Sequence, residues 1–197
     1  MSWPEKHPVF SPSDYLAFER AAETRHEYLD GIVYAMAGES PEHSQICFNL
    51  AVAVGKQLKS ECRGYSPNMK VRTDESGLFA YPDLMVVCGD PIYHDNHPDV
   101  LLNPTVIVEV LSLSIERYDR SEKFLRYRTH IASLKQYVLV AQHEPHIELF
   151  SRKQDDSWSF TETAGIETAI SLTSIGCELS LAEIYRGIVL PSIPPVG

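Results

Sequence analysis

Tyr81-Pro82-Asp83-Leu84-Met85-Val86-Val87 and Thr105-Val106-Ile107-Val108-Glu109-Val110-Leu111 are the two stretches on which the fold turns. Both are apolar, rich in β-branched residues and of strand length. Each holds one carboxylate. A strand buried on both faces cannot keep a lone ionised carboxylate without a partner or a metal. Paired side by side, the two strands bring Asp83 and Glu109 together, and like charges that close repel unless a cation lies between them.

Working outward, Asp119-Arg120-Ser121-Glu122-Lys123-Phe124-Leu125-Arg126-Tyr127 reads as a helix able to return a lysine to the same place. Two acids and a lysine around a hard cation are the parts of a phosphodiester-hydrolysing site. Asp83 and Glu109 would ligate the ion, and the Val110 backbone carbonyl could add an oxygen, since hard cations accept carbonyls. Such an ion would polarise the phosphoryl group and lower the pKa of a water. Lys123 would orient that water or stabilise transition-state charge. A plainer reading stands beside this one. Asp119 and Lys123 have the i, i+4 spacing of an ordinary helix ion pair, and a buried acid paired with a basic residue is commonplace. Spacing alone slightly favours the plainer reading.

The chain has 197 residues, enough for one domain with a sizeable core, and 44% of them are apolar. We expect a domain over residues 1–190 and a flexible, proline-rich tail over 191–197. No apolar run reaches membrane-spanning length and no signal core is visible, so a cytoplasmic protein with no membrane partner is expected. The formal charge of −10 counts against a broadly basic nucleic-acid surface. Arg117, Arg120, Lys123, Arg126 and Arg128 form a local concentration, which by itself reads as a solvated helix face. Cys47, Cys62, Cys88 and Cys177 are scattered without a CxxC pair, so buried free thiols are expected.

Further signals place the remaining elements. Ser11-Pro12-Ser13-Asp14 opens a helix. Asp30-Gly31 between two strand-like runs predicts a hairpin carrying Glu27 on its first strand. Ser40-Pro41-Glu42-His43 opens the longest helix, expected to reach about Ser60, with Ile46, Leu50, Ala53, Val54 and Leu58 on one face. His43 in its first turn reads more readily as a capping residue than a catalytic one. Cys62 to Arg72 is strand-like, broken at Ser66-Pro67, and Asp74-Glu75-Ser76-Gly77 is a turn. Gly89 to Asn103 reads as a polar loop whose His94 and His97 are solvated. A hairpin over Gln136–Val140 and Ile147–Phe150, late strands near Trp158 and Ile170, and a short helix from Leu181 complete an α/β chain with a mixed sheet.

The assembled marks resemble the PD-(D/E)XK nuclease superfamily and, more fully, the Uma-type restriction endonuclease family of bacteria. They are Arg25-His26-Glu27-Tyr28-Leu29-Asp30-Gly31, Met36-Ala37-Gly38-Glu39-Ser40 with His43, Tyr81-Pro82-Asp83, Asn103-Pro104 before Glu109-Val110-Leu111-Ser112, Asp119 with Lys123 and Tyr127, and Gln136-Tyr137-Val138-Leu139-Val140. Together they are specific, although Pro-Asp alone is weak. The resemblance implies a restriction-endonuclease-like α+β core with flanking helices and extra β-hairpins. It implies Mg²⁺- or Mn²⁺-dependent cleavage of nucleic acid, DNA first. Leu111 stands where the superfamily pattern has lysine, so the resemblance implies that Lys123 takes that role. Glu27 becomes an additional acid, and His43, Arg120, Arg126 and Tyr127 become substrate-binding residues. A homodimer would follow from the need for two symmetric cuts. The rival readings are a binding or assembly module that keeps the fold without catalysis, and a nuclease acting on RNA or branched DNA.

Overall fold

A computed structural model of the chain describes residues 9–36, 38–74, 77–112 and 116–189. The expected 191–197 tail and Glu75 and Ser76 of the expected turn lie outside the described residues. Among these, no helix is long and apolar enough to cross a membrane.

Helix α1 (Pro12–Ala21) starts at a capping box: Ser11 accepts the Asp14 N–H while Asp14 accepts back from Ser11. Strands β1 (His26–Leu29) and β2 (Ile32–Ala35) form the hairpin expected at Asp30-Gly31. Asp30 and Gly31 take φ of 48° and 93°, the paired positive values that a two-residue type I′ turn needs. A Cβ at position 31 would also collide with Val9.

Helix α2 (Pro41–Gly55) is capped by Ser40, which accepts the His43 N–H. It stops five residues short of Ser60. Gln57 turns its amide onto the Ala53 carbonyl and onto Glu178, tying off the last turn. The Cys62 to Arg72 stretch divides at Ser66-Pro67 into β3 (Cys62–Tyr65) and β4 (Lys70–Arg72), which join different sheets. Next come β5 (Leu78–Ala80), β6 (Leu84–Cys88) and β7 (Val100–Leu101). Strand β7 lies inside the stretch read as a loop. It is two residues long, too short for an alternation signal, and pairs in parallel with β4. His94 is half-buried, taking an Arg72 guanidinium N–H at 2.7 Å.

Strand β8 (Val106–Leu111) is buried at every position. It leads to α3 (Glu116–Tyr118), a π-helical turn (Asp119–Lys123) and α4 (Phe124–His130). The chain returns as β9 (Gln136–Ala141), β10 (His146–Arg152) and β11 (Trp158–Ala164), then β12 (Ala169–Leu172), β13 (Cys177–Ser180) and α5 (Leu181–Ile184).

The main sheet runs β11-β10-β9-β8-β6-β3, with β8 and β9 parallel and its other pairs antiparallel. A second sheet runs β2-β1-β5-β4-β7, and β12-β13 forms a separate hairpin. Side-chain alternation splits β8 between two cores. Val106, Val108 and Val110 face α2, α5 and the β12-β13 hairpin, while Ile107 and Leu111 face α4 and the second sheet. Ile46 and Leu50 of α2 are fully buried, each worth roughly 1.5–3 kcal/mol of apolar transfer. Helix α1 covers the second sheet through Tyr15 and Leu16 on Tyr28 and Phe79.

One expectation is corrected. Cys62 and Cys88 form a disulfide, and only Cys47 and Cys177 are free thiols. The two positions are 26 residues apart in sequence but face each other across β3 and β6. Spacing along the chain carries no trace of that register.

Candidate active site

The Asp83 strand begins later than its sequence suggests. Pro82 has no N–H to give a ladder, and the Tyr81 N–H goes to the Glu27 carboxylate at 3.2 Å. Tyr81 is held at its far end too: its hydroxyl donates to Glu19 at 2.6 Å and accepts from Lys70 at 3.3 Å. Pro82-Asp83 therefore leaves a clamped residue and enters β6. Leu84 of β6 pairs with Val108 of β8, which sets Asp83 beside Glu109 and Val110. The Val110 N–H donates to Asp83 Oδ2 at 2.7 Å. A charged acceptor makes this one of the stronger hydrogen bonds of the fold.

Lys123 reaches the same place. It is 4% exposed, and its Nζ lies 3.2 Å from Glu109, 3.3 Å from Glu27 and 3.3 Å from Asp119. The plainer i, i+4 pair and the inward-pointing lysine thus coexist. The π-helical turn is responsible, because it carries Asp119 and Lys123 on its buried side. Such turns are frequent at functional sites. Tyr127 is fully buried behind Glu109 and donates to its Oε1 at 3.2 Å, so its hydroxyl orients that acid from within the core. The Tyr137 hydroxyl donates to the Asp119 carbonyl at 3.1 Å and pins the turn.

His43 comes from α2 on the opposite side of the main sheet. Its Nε2 donates to the Val110 carbonyl at 3.1 Å and lies 3.4 Å from Asp83 Oδ2. Its Nδ1 is 3.5 Å from the Cys47 sulfur and from Glu39. The two groups proposed from sequence as ion ligands on this side, Asp83 and the Val110 carbonyl, thus both face His43.

Arg120 and Arg126 are engaged by acids. Arg120 binds Glu148 at 2.7 Å and Glu116 at 3.1 Å, and Arg126 forks onto Asp30 and Glu122. A phosphate would have to displace those partners.

The electrostatics show an excess of negative charge. Burial drives Glu109 well above the usual carboxylate range, with Asp119, Asp83 and Glu27 adding repulsion that Lys123 only partly offsets. Burial likewise raises Asp119. For Lys123 burial acts downward, yet Glu109 and Glu27 outweigh it and carry the ammonium well above its ordinary pKa. His43 is also raised, because Asp83 outweighs its burial. Both carboxylate oxygens of Asp119 are buried, and the partner they meet is the Lys123 ammonium, 3.3 Å from Oδ1. Glu27, Asp83, Glu109 and Asp119 are oxygen donors of the kind hard divalent cations accept, and one ammonium, one imidazole and a backbone carbonyl stand among them.

Sequence reasoning missed Asp119 as a member of the cluster, while His43, placed at the site by the resemblance, lies beside Asp83 and Val110. The signal for Asp119 is its i, i+4 relation to Lys123, which in an ordinary helix is a surface ion pair. Glu27 of β1, Asp83 just before β6, Glu109 of β8, and Asp119 and Lys123 of the π-helical turn thus come together in one cluster of acids around a lysine. The chain belongs to the Uma2 family, whose model is described as "Putative restriction endonuclease" and matches residues 12–182. Among curated proteins it is 33% identical over 182 residues to the uncharacterized protein slr1290 of Synechocystis, covering 92% of this chain and 94% of that one. It is 30% identical over 166 residues to sll1609 of the same organism, covering 84% and 93%. The fold matches a crystal structure described as a "putative nuclease belonging to DUF820" from Anabaena variabilis. The TM-score is 0.72 at 15% identity, covering 89% of this chain and 97% of that one.

Proposed function

We propose that the protein is a divalent-metal-dependent endonuclease whose substrate is DNA. The observation that carries this reading is the convergence of Glu27, Glu109 and Asp119 on a buried Lys123 while Asp83 is fastened to the backbone next to Glu109. Membership of a family described as restriction endonucleases supports it. Asp83, Glu109 and the Val110 carbonyl would hold Mg²⁺ or Mn²⁺, while His43 donates to the Val110 carbonyl and stands beside Asp83 at the edge of that oxygen set. The ion would supply Lewis-acid charge to the phosphoryl group.

The chain's own residues divide the remaining work. Lys123 is held cationic by its acids, so it serves as a fixed positive charge near the attacked phosphate and not as a base. Glu27 positions Lys123 and, through the Tyr81 N–H, ties the hairpin to the Pro82-Asp83 segment. Tyr127 holds the rotamer of Glu109. Arg120 and Arg126 would meet phosphates by exchanging carboxylate partners. A homodimer would place two such sites on opposite strands of a duplex.

A panel of supercoiled plasmid, linear duplex, branched DNA, single-stranded DNA and RNA tests the reading, with Mg²⁺, Mn²⁺ or EDTA. DNA cleavage confined to the metal lanes is the expected result. Cleavage of RNA or of junctions alone would reassign the substrate. No cleavage in any lane would favour the assembly module.

A further inference from the structure

Cys47 has no part in the proposed reaction, yet its sulfur lies at the site. We propose that His43, Cys47 and Asp83 form a binding site for a thiophilic divalent ion, Zn²⁺ above all, which takes Asp83 away from Mg²⁺ or Mn²⁺. Inhibition of cleavage by Zn²⁺ rests on the nuclease reading; the binding of Zn²⁺ does not.

Geometry carries the proposal. His43 and Cys47 are one helical turn apart on α2 and so project from the same face. Asp83 is brought to that face by β6. One nitrogen of His43, the Cys47 sulfur and one Asp83 oxygen all lie within 4.8 Å of one another. Among the described residues this is the one group of three such side chains so close together. A tetrahedral ion with ligands at roughly 2.0–2.3 Å has ligand–ligand edges of about 3.5 Å. The sulfur is already 3.5 Å from His43 Nδ1, and Asp83 Oδ2 is 3.4 Å from Nε2. One imidazole nitrogen already lies within 4.8 Å of both partners, so closing on an ion asks each contact to shorten toward the tetrahedral edge.

Access and chemistry agree with this. Cys47 and Asp83, with Glu39, line a groove of about 510 Å³, which gives an ion a route to them, while His43 is buried behind its wall. Thiolate and imidazole select Zn²⁺ and Co²⁺, whereas Mg²⁺ and Mn²⁺ prefer an all-oxygen set. The two kinds of ion would share Asp83 and differ at Cys47. Binding expels the thiol proton to solvent, forming a sulfur–metal bond in place of the S–H bond with no change of oxidation state.

Co²⁺ titration of the full chain, in a non-thiol reductant too weak to open the disulfide, tests the site by spectroscopy and needs no nuclease activity. Thiolate-to-cobalt charge-transfer absorption should grow to one equivalent and be bleached by Zn²⁺. Cys47→Ser should abolish that band and weaken Zn²⁺ binding by at least about tenfold. Cys177→Ser should keep the band, since that thiol is buried elsewhere. Asp83→Asn should weaken Co²⁺ binding while leaving a residual sulfur band. Circular dichroism on each variant establishes that it is folded. Co²⁺ binding without the charge-transfer band, or a band that survives Cys47→Ser, would overturn the proposal. Mn²⁺-dependent cleavage is scored separately, so loss of the nuclease reading and loss of the zinc site are distinct outcomes.

Discussion

Lys123 and Glu109 are both almost fully buried, and they are not equivalent under mutation. Lys123→Ala removes the ammonium that Glu27, Glu109 and Asp119 share, leaving buried negative charge uncompensated. It should cost about 3–5 kcal/mol of unfolding free energy in urea melts. Glu109→Gln keeps a hydrogen-bonding partner for Tyr127 and leaves Lys123 two acids. Its apo stability should match the wild type or exceed it by about 1 kcal/mol. The raised carboxyls also fix a pH dependence. A group whose folded pKa lies above its unfolded value contributes stability at low pH that is lost as pH rises through the folded value. Glu109 and Asp119 start from 4.5 and 3.8, so in EDTA the protein should lose stability as pH climbs from about 4 toward neutrality. Mn²⁺ should flatten that decline, since the ion binds only the folded site. A flat profile in EDTA, measured by melts across this range, would contradict the charge excess.

The elements most visible in the sequence were those with a local cause. The Asp30-Gly31 hairpin, the Ser40-Pro41 helix start and the doubly buried β8 each announce themselves within a few residues. Strands β5 and β7 have two or three residues and exist because β4 lies between them, which no window on the chain can register. The Cys62–Cys88 pairing was hidden for the same reason: register decides it. The candidate site was legible as acids inside apolar strands. Asp119 was not, because a helix pair with Lys123 and a four-residue cluster look alike until a π-helical turn chooses the inward face. A second buried cation supports the other sheet. Lys70, 4% exposed on β4, lies 3.0 Å from Asp99, which also binds Arg20 at 2.8 Å. Burial would raise Asp99, but Arg20 and Lys70 outweigh it and hold its pKa at about 2. A depressed folded pKa gives stability that is present above the unfolded value of 3.8 and lost as pH falls through about 2. Asp99→Asn should remove that acid transition and cost about 2–4 kcal/mol at neutral pH by leaving Lys70 poorly compensated. An unchanged melt would place the support of β4 and β7 elsewhere.

At the scale of the whole molecule, two sheets face each other across a core closed by α4, and α2 seals the outer face of the larger one. That packing lets the β1-β2 hairpin, the residue before β6 and β8 each deliver one acid to one place, with Asp119 and Lys123 coming from the helical segment after β8 and His43 from α2. The chain is acidic overall, at −10, and Arg120 and Arg126 already have acidic partners. Diffuse attraction for a polyanion is therefore weak, and the account rests on the charge balance of the site itself. The most direct test is the Mn²⁺-dependent cleavage rate of Glu109→Gln beside the wild type, at a pH where both have the same melting temperature. The account predicts metal-dependent cleavage by the wild type and a loss of at least about 10²-fold in the folded variant. Equal rates from the two proteins, or no metal-dependent cleavage by the wild type, would contradict it.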